Sequence, residues 1–371
     1  MTFVIGRGDG NHGDGNHGDD GDNGDNSDDD TGSRPTANFG TYRARDGSAG
    51  AALFLDLDGP HAVSIVGKRG YGKSYTLGVV AEELARARGV SPVVVDPMGV
   101  FGSLADPADG APVPATVVDR PTVDPSSLNP KSWCALVGLS PESGAGSLLW
   151  RAAQRESTLE AMAERIEAAD APRADKRAAS NHLELADAWG VFDPDGLTAA
   201  DLAGPDATVL DVSGLADAPM NAVARGVAEA LYRARVDGAI DRLPWLLLDE
   251  AHTFFDGVAR PALETILTRG RAPGVSLVAA TQRPSAVPAV GISQSDIVVS
   301  HRLTARADLE ALETARPAYV SGPLADRLPE RPGEVVVIDD ATETIHVAQV
   351  RRRETPHGGD SPRASDIVQI L

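Results

Sequence analysis

Residues 67–74 read Gly67-Lys-Arg-Gly-Tyr-Gly-Lys-Ser74, and Gly67, Gly72, Lys73 and Ser74 satisfy the G-x-x-x-x-G-K-[ST] phosphate-loop pattern. The flanks are those the pattern requires. The apolar run from His61 to Val66 reads as a buried strand entering the loop. Thr76 to Arg88 reads as a helix leaving it, with Leu77, Val80 and Leu84 at three- and four-residue spacing. Gly67, Gly70 and Gly72 allow the backbone to wrap closely around phosphate oxygens, and the loop amides and helix N-terminus present partial positive charge to them. Lys73 is expected to reach the β- and γ-phosphates, and Ser74 to ligate Mg²⁺. The competing reading is a glycine-rich turn with no ligand.

A second segment argues against that plain turn. Trp245-Leu-Leu-Leu-Asp-Glu250 is an apolar strand ending in two carboxylates, the form expected of the acidic strand beside a phosphate loop. Asp249 is expected to hold Mg²⁺ through water, and Glu250 to orient and deprotonate the attacking water. Acidic residues here would otherwise cap the helix that follows.

The chain has 371 residues, enough for one large domain or two modest ones. Its formal charge is −20, and the only lysines are Lys68, Lys73, Lys131 and Lys176, so arginine supplies nearly all the positive charge. This balance resembles proteins of salt-loving archaea, where screening removes most long-range repulsion. Acidity is then weak evidence against a nucleic-acid partner, because a basic channel can sit inside an acidic shell. The single cysteine, Cys134, excludes an internal disulfide and a cysteine-based zinc cluster. No apolar run approaches the about 18 residues that span a bilayer, and the N-terminus lacks the basic and apolar regions of a signal peptide. A cytoplasmic location is expected.

Residues 1–30 hold nine Asp against one Arg, with Asn-His-Gly-Asp repeated at 11 and 16. Residues 1–35 are therefore expected to be a disordered acidic tail. His12 and His17 are either metal ligands or part of a solvated segment. From 36 to 355 the composition is globular, and 356–371 reads as a C-terminal tail. Strands are expected at 52–57, 62–66, 92–96, 208–212, 245–249, 275–281, 297–302 and 334–338, alternating with helices. That alternation predicts an α/β fold, a mostly parallel sheet flanked by helices, with ligands at the C-terminal strand ends. Those ends are repeatedly polar: Asp96, Asp211, Asp249 with Glu250, and Thr281 with Gln282. Between about 140 and 205 the strand signal stops. Helices at 147–167 and 173–189 suggest a helical insertion with Leu148, Leu159, Met162 and Ile166 on its apolar face.

Three segments together resemble the HerA branch of the HerA–FtsK ATPases: Ser64 to Tyr75 around the phosphate loop, Asp249-Glu-Ala-His-Thr-Phe254, and Gly270 to Ser285, which ends Ala-Thr-Gln-Arg-Pro-Ser. Asp296 to Thr304 resembles the family's next strand. The resemblance covers roughly residues 39–350 and implies a RecA-like P-loop NTPase core that binds ATP and Mg²⁺. It also implies a homo-oligomeric ring, usually hexameric, and ATP-driven motion of DNA. The ATP-binding set is then Gly67, Lys68, Gly70, Tyr71, Gly72, Lys73, Ser74 and Tyr75. Gln282 matches the family's sensor glutamine; otherwise it is a polar residue in a turn before Pro284. Arg302, with Arg269 and Arg271 behind it, is the candidate for the arginine that such rings supply from a neighbouring subunit. His252 either relays between hydrolysis and DNA or packs in the first helical turn.

Two departures stand out. With 66 residues before Gly67, much of them acidic, the family's N-terminal β-barrel does not fit, and barrel-dependent ring assembly and nuclease docking come into doubt. Met98 and Val100 stand where the family usually has His and an acidic residue. A nucleotide-gated interaction protein with slow turnover, or a motor of the secretion and conjugation type, are the alternatives to a DNA translocase.

Overall fold

Twelve strands form a single sheet in the order β1-β3-β2-β12-β11-β10-β4-β9-β8-β5-β7-β6. The computed structural model describes residues 3–7, 34–44, 47–106 and 113–357. The strands are β1 (Phe3–Ile5), β2 (Thr36–Arg43), β3 (Ala49–Asp56), β4 (Ala62–Val66), β5 (Val90–Asp96) and β6 (Ala115–Asp119). They continue with β7 (Ala207–Asp211), β8 (Leu243–Leu248), β9 (Ser276–Thr281), β10 (Ile297–Ser300), β11 (Glu334–Asp339) and β12 (Thr344–Val350). From β10 through β4, β9, β8, β5 and β7 to β6 every pairing is parallel. The β11, β12, β2 and β3 side is antiparallel.

The central strands are buried on both faces, which is why they read as unbroken Val, Leu and Ile runs. Alternate residues enter opposite cores. Val94, Leu247, Val278, Ala280 and Ile65 pack with Leu77, Val80 and Leu84 of helix α1 (Lys73–Arg86). Val93, Val95, Leu246 and Leu248 face the other way. There they meet α2 (Pro130–Leu136), α3 (Gly144–Arg155), α4 (Leu159–Ala168), α5 (Arg173–Asp187), α6 (Ala199–Leu202) and α7 (Asp217–Val236). The helical segment between β6 and β7 thus buries Trp133, Leu149, Met162, Ile166 and Leu183 on the face opposite α1. Two further helices of this face, α8 (His252–Phe255) and α9 (Arg260–Arg269), follow β8.

Several expectations are corrected. The helix expected over 147–167 is broken: Glu156 is extended, and Thr158 accepts a hydrogen bond from the Ala161 amide to cap a new helix. Strand β9 lies between β4 and the acidic strand β8, an order that no sequence pattern specified. Strands β1, β2, β6 and β12 were not anticipated. Phe3–Ile5 lies inside the segment assigned to a disordered tail, yet it is a short apolar run that pairs in parallel with β3. Residues 8–33, including His12 and His17, and 358–371 lie outside the described residues.

Strand β1 is tied down by a charge cluster at the N-terminal ends of β4 and β10, the end of these strands opposite the phosphate loop. Arg7 Nε donates to Asp56 Oδ1 at 2.8 Å. His61 places Nδ1 2.7 Å from Asp296 Oδ2 and Nε2 3.4 Å from Asp56 Oδ2. Burial by itself would push the imidazole pKa down, but the bonds to Asp296 and Asp56 override it and raise the value to about 9 from 6.5. A folded-state pKa above the unfolded one means the stabilisation is complete below about 6.5 and is lost as pH rises through about 9. The thermal midpoint is therefore expected to decline from pH 6.5 to 9, and His61→Gln to flatten that decline. An identical slope in the variant would show that His61 does not carry it.

Candidate active site

The C-terminal ends of the parallel strands form one line. Asp119, Asp211 and Asp96 are in register across β6, β7 and β5, and Asp249 follows β8, its amide donating to Val95 O at 3.4 Å. The phosphate loop leaves β4 on the other side of β9. Helix α1 begins at Lys73, so the loop amides lie at its N-terminal end. Gly72 has φ of 103°, a left-handed conformation that favours glycine.

Across this gap Ser74 Oγ donates to Asp249 Oδ2 at 2.7 Å. Lys73 Nζ donates to Lys68 O at 3.2 Å. Burial lowers the Lys73 pKa, partly offset by the carboxylates of Glu250 and Asp249. Asp249 is almost wholly buried; burial raises its pKa against the Ser74 hydrogen bond and the Glu250 amide, which donates to Oδ1 at 3.0 Å. The pKa of Glu250 is raised first by burial, then by the charge of Asp249.

Glu250 is unusual in two ways. Its φ is 44°, a conformation L residues rarely adopt, and one that costs about 1–3 kcal/mol where it is held by its surroundings. Its Oε2 is buried without a hydrogen-bond partner. The nearest cation-capable group is His252, with Nδ1 at 3.4 Å from Oε2 and 3.3 Å from Thr281 Oγ1. Burial, then Arg283, holds the His252 pKa down, which favours the neutral ring. The neighbouring Gln282 amide opposes the upward shift of the Glu250 carboxyl. Strand β9 thus delivers Thr281 and Gln282 between the loop and the acidic pair.

The donor set suits a hard cation. Ser74 and Asp249 offer oxygen ligands, and Mg²⁺ commonly takes one or two protein oxygens with phosphate and water completing its shell. Among the described residues no group of three or more His, Cys, Asp or Glu forms a metal cage.

Three features of the site go beyond the sequence reading, which named Asp96 as a polar strand end but not its bonds. His301, fully buried, sits under the loop: its Nε2 lies 3.0 Å from Thr76 Oγ1. Burial, then Lys73, drives its pKa down to about 3, so it is a neutral support. Asp96 accepts from the amides of Met98 at 3.1 Å and Phe101 at 2.7 Å; burial raises its pKa to about 6 against those bonds. It shapes the turn that puts exposed Met98 and Val100 at the cavity wall.

Third, residues 351–357 cross α1 as a strap. Glu82 on α1, fully buried, accepts from the amides of Glu354 at 2.9 Å and Thr355 at 2.8 Å. Tyr75 Oη accepts from the Arg353 amide at 2.5 Å. The resulting cavity, about 540 Å³, contains Lys73, Ser74, Asp249 and Glu250 together with Gly333, Gln349 and His357. Arg302 is not part of its wall. Its carbonyl accepts from the Lys68 amide at 2.8 Å, and its guanidinium lies 3.8 Å from exposed Glu330.

Residues 48–195 match the family model described as Helicase HerA, central domain. Over that stretch the chain is similar to the central domain of the HerA helicases. The HerA match takes in the phosphate loop and the helical segment after β6, and it ends before Asp249. Likeness of fold extends further. VirB4 of Thermoanaerobacter pseudethanolicus superposes with a TM-score of 0.61 at 16% identity, covering 85% of this chain and 96% of that one. The bacterial conjugative coupling protein TrwB superposes with a TM-score of 0.56 at 14% identity, covering 86% of this chain and 90% of that one. A second TrwB structure, with the non-hydrolysable GTP analogue GDPNP, gives 0.52 at 15% identity over 80% of this chain and 87% of that one. A search of curated proteins by sequence returned no match. No described helix is long and apolar enough to cross a membrane.

A methyl group at Gly67 would lie 2.5 Å from His301 Cβ, and His301 cannot yield easily because its amide donates to Val66 O at 2.8 Å. Gly67→Ala is expected to weaken nucleotide binding about tenfold or more while the protein still melts cooperatively. Undiminished binding of a fluorescent ATP analogue would show that the loop does not rest on His301.

Proposed function

We propose that this chain is a Mg²⁺-dependent ATPase whose turnover moves or remodels DNA as a homo-oligomeric ring. The observation that carries the hydrolytic part is the Glu250 carboxylate. It is held in a left-handed backbone with a buried, unpartnered Oε2, in the same cavity as Lys73, Ser74 and Asp249. A buried acceptor that makes no hydrogen bond, with only His252 Nδ1 at 3.4 Å beside it, is costly, and an attacking water would satisfy it. A chain that only bound nucleotide would have no need of such a group.

In this reading the amides of Gly67–Ser74 and the ammonium of Lys73 hold the phosphates. Ser74 and Asp249 hold Mg²⁺, which neutralises phosphate charge when bound. Glu250 orients the water and takes its proton. Gln282, beside Glu250 at the end of β9, contacts the γ-phosphate and reports hydrolysis. His252, close to Glu250 and Thr281, keeps the carboxylate in place as a neutral neighbour. Among the described residues the Arg302 guanidinium has the long pairing to exposed Glu330, which leaves it available to a neighbouring copy. Arg269 and Arg271, exposed at the end of α9, are the alternatives. The HerA family match supports DNA as the substrate track, gripped mainly through its phosphates and so largely without sequence preference.

ATP hydrolysis measured in molar KCl, with and without duplex DNA, tests the reading. Turnover is expected to rise with DNA and to fall by about 10²-fold or more in Glu250→Gln. Slow turnover indifferent to DNA, with ATP still bound, would replace the motor with a nucleotide-gated switch.

A further inference from the structure

The cavity is larger than its phosphate end. Beyond Lys73, Ser74, Asp249 and Glu250 it is walled by Tyr75, Pro332, Gly333, Gln349, Arg352 and His357, which leaves room beside the loop for a nucleoside attached to the phosphates. Gly333 is joined to the loop, its amide donating to Tyr71 O at 3.4 Å. A Cβ at Gly333 would meet Gln349 Nε2 at 2.7 Å, so the glycine leaves the Gln349 carboxamide room to stand in the wall.

Of the other polar groups there, Arg352 offers only donors, which cannot meet an amino group, and Tyr75 and His357 are engaged with Arg353. Tyr75 Oη is taken by the Arg353 amide, and His357 Nδ1 lies 3.3 Å from Arg353 Nη1. Gln349 makes one weak bond, Nε2 to Val350 O at 3.4 Å. That leaves an N–H donor and the Oε1 acceptor unused on a half-buried side chain. A carboxamide with both functions free pairs with the adenine edge that offers an amino donor beside a ring-nitrogen acceptor. The same edge of guanine offers two acceptors and would set one of them against Oε1.

We propose that Gln349 is the base-reading residue of the nucleotide site, taking the amino and ring-nitrogen edge of adenine and setting a preference for ATP over GTP. This inference rests on the ATPase reading above and adds the base to it. Strand β12 fixes the backbone of Gln349, paired between Glu334 of β11 and Thr41 of β2, so the side chain starts from a set point in the cavity wall.

Dissociation constants for ATP, GTP and inorganic tripolyphosphate, in the wild type and in Gln349→Leu, test it. The wild type is expected to prefer ATP over GTP by about tenfold. The leucine variant should lose that factor for ATP and keep tripolyphosphate, which has no base. Gln349→Glu, which sets an acceptor against the ring nitrogen, should lose the preference in the same way and guards against misfolding of one variant. An ATP:GTP ratio unchanged in both variants, with tripolyphosphate still bound, would overturn the Gln349 assignment and leave the ATPase reading intact. A wild type that binds none of the three would overturn both.

Discussion

Charged groups held out of water in one cavity are the constraint from which the rest of this structure follows. Lys73, Asp249 and Glu250 are all largely buried, and burial pushes the lysine pKa down and the carboxyl pKa values up. Such groups persist only when neighbours hold them in register. Here the neighbours come from separate parallel strands and the first turn of α1. The Ser74 to Asp249 hydrogen bond at 2.7 Å joins the first turn of α1 to the end of β8, two strands away from β4 in the sheet. A bond of that reach exists only because the strand ends are aligned by the sheet.

The support is layered. Beneath the loop, neutral His301 fills the space that Gly67 leaves and ties to Thr76. Beyond it, Glu82 is a fully buried carboxylate on the same helix that begins the phosphate site. Its bonds to the 354 and 355 amides, and Arg351 Nη1 at 2.8 Å from its Oε2, lock the strap across α1. Removing a partner from a buried charge of this kind typically costs about 3–5 kcal/mol. The strap is therefore part of the site's rigidity, although it lies some 280 residues from the loop in sequence.

At the opposite end of the sheet His61, Asp56, Asp296 and Arg7 perform a different task. They hold β1 and the start of β4 where no ligand chemistry is proposed. The two charge clusters differ in what burial does. Around His61 the acidic partners outweigh desolvation and favour the charged ring. Around Glu250 desolvation outweighs Lys73 and weakens the charged carboxylate, the direction that suits the proton-accepting role proposed for it.

The sequence alone determined the phosphate loop, its flanking strand and helix, the acidic pair at 249–250, the Thr281-Gln282 strand end and the helical segment before β7. Each of these is encoded by neighbouring residues, since a loop glycine, a helix stripe or an apolar strand depends on its own backbone. The same locality explains the errors. Phe3–Ile5 is too short to announce a strand beside so much Asp and Gly, and Ala115–Asp119 is a brief run on the sheet edge. Only the tertiary structure decided that β9 separates the loop from the acidic strand, that His301 lies under Gly67, and that Gln349 and the 351–357 strap wall the cavity beside the loop. Those placements join residues more than 170 positions apart. No local pattern records them, because strand order and packing are settled by burial of the whole sheet rather than by any segment of it.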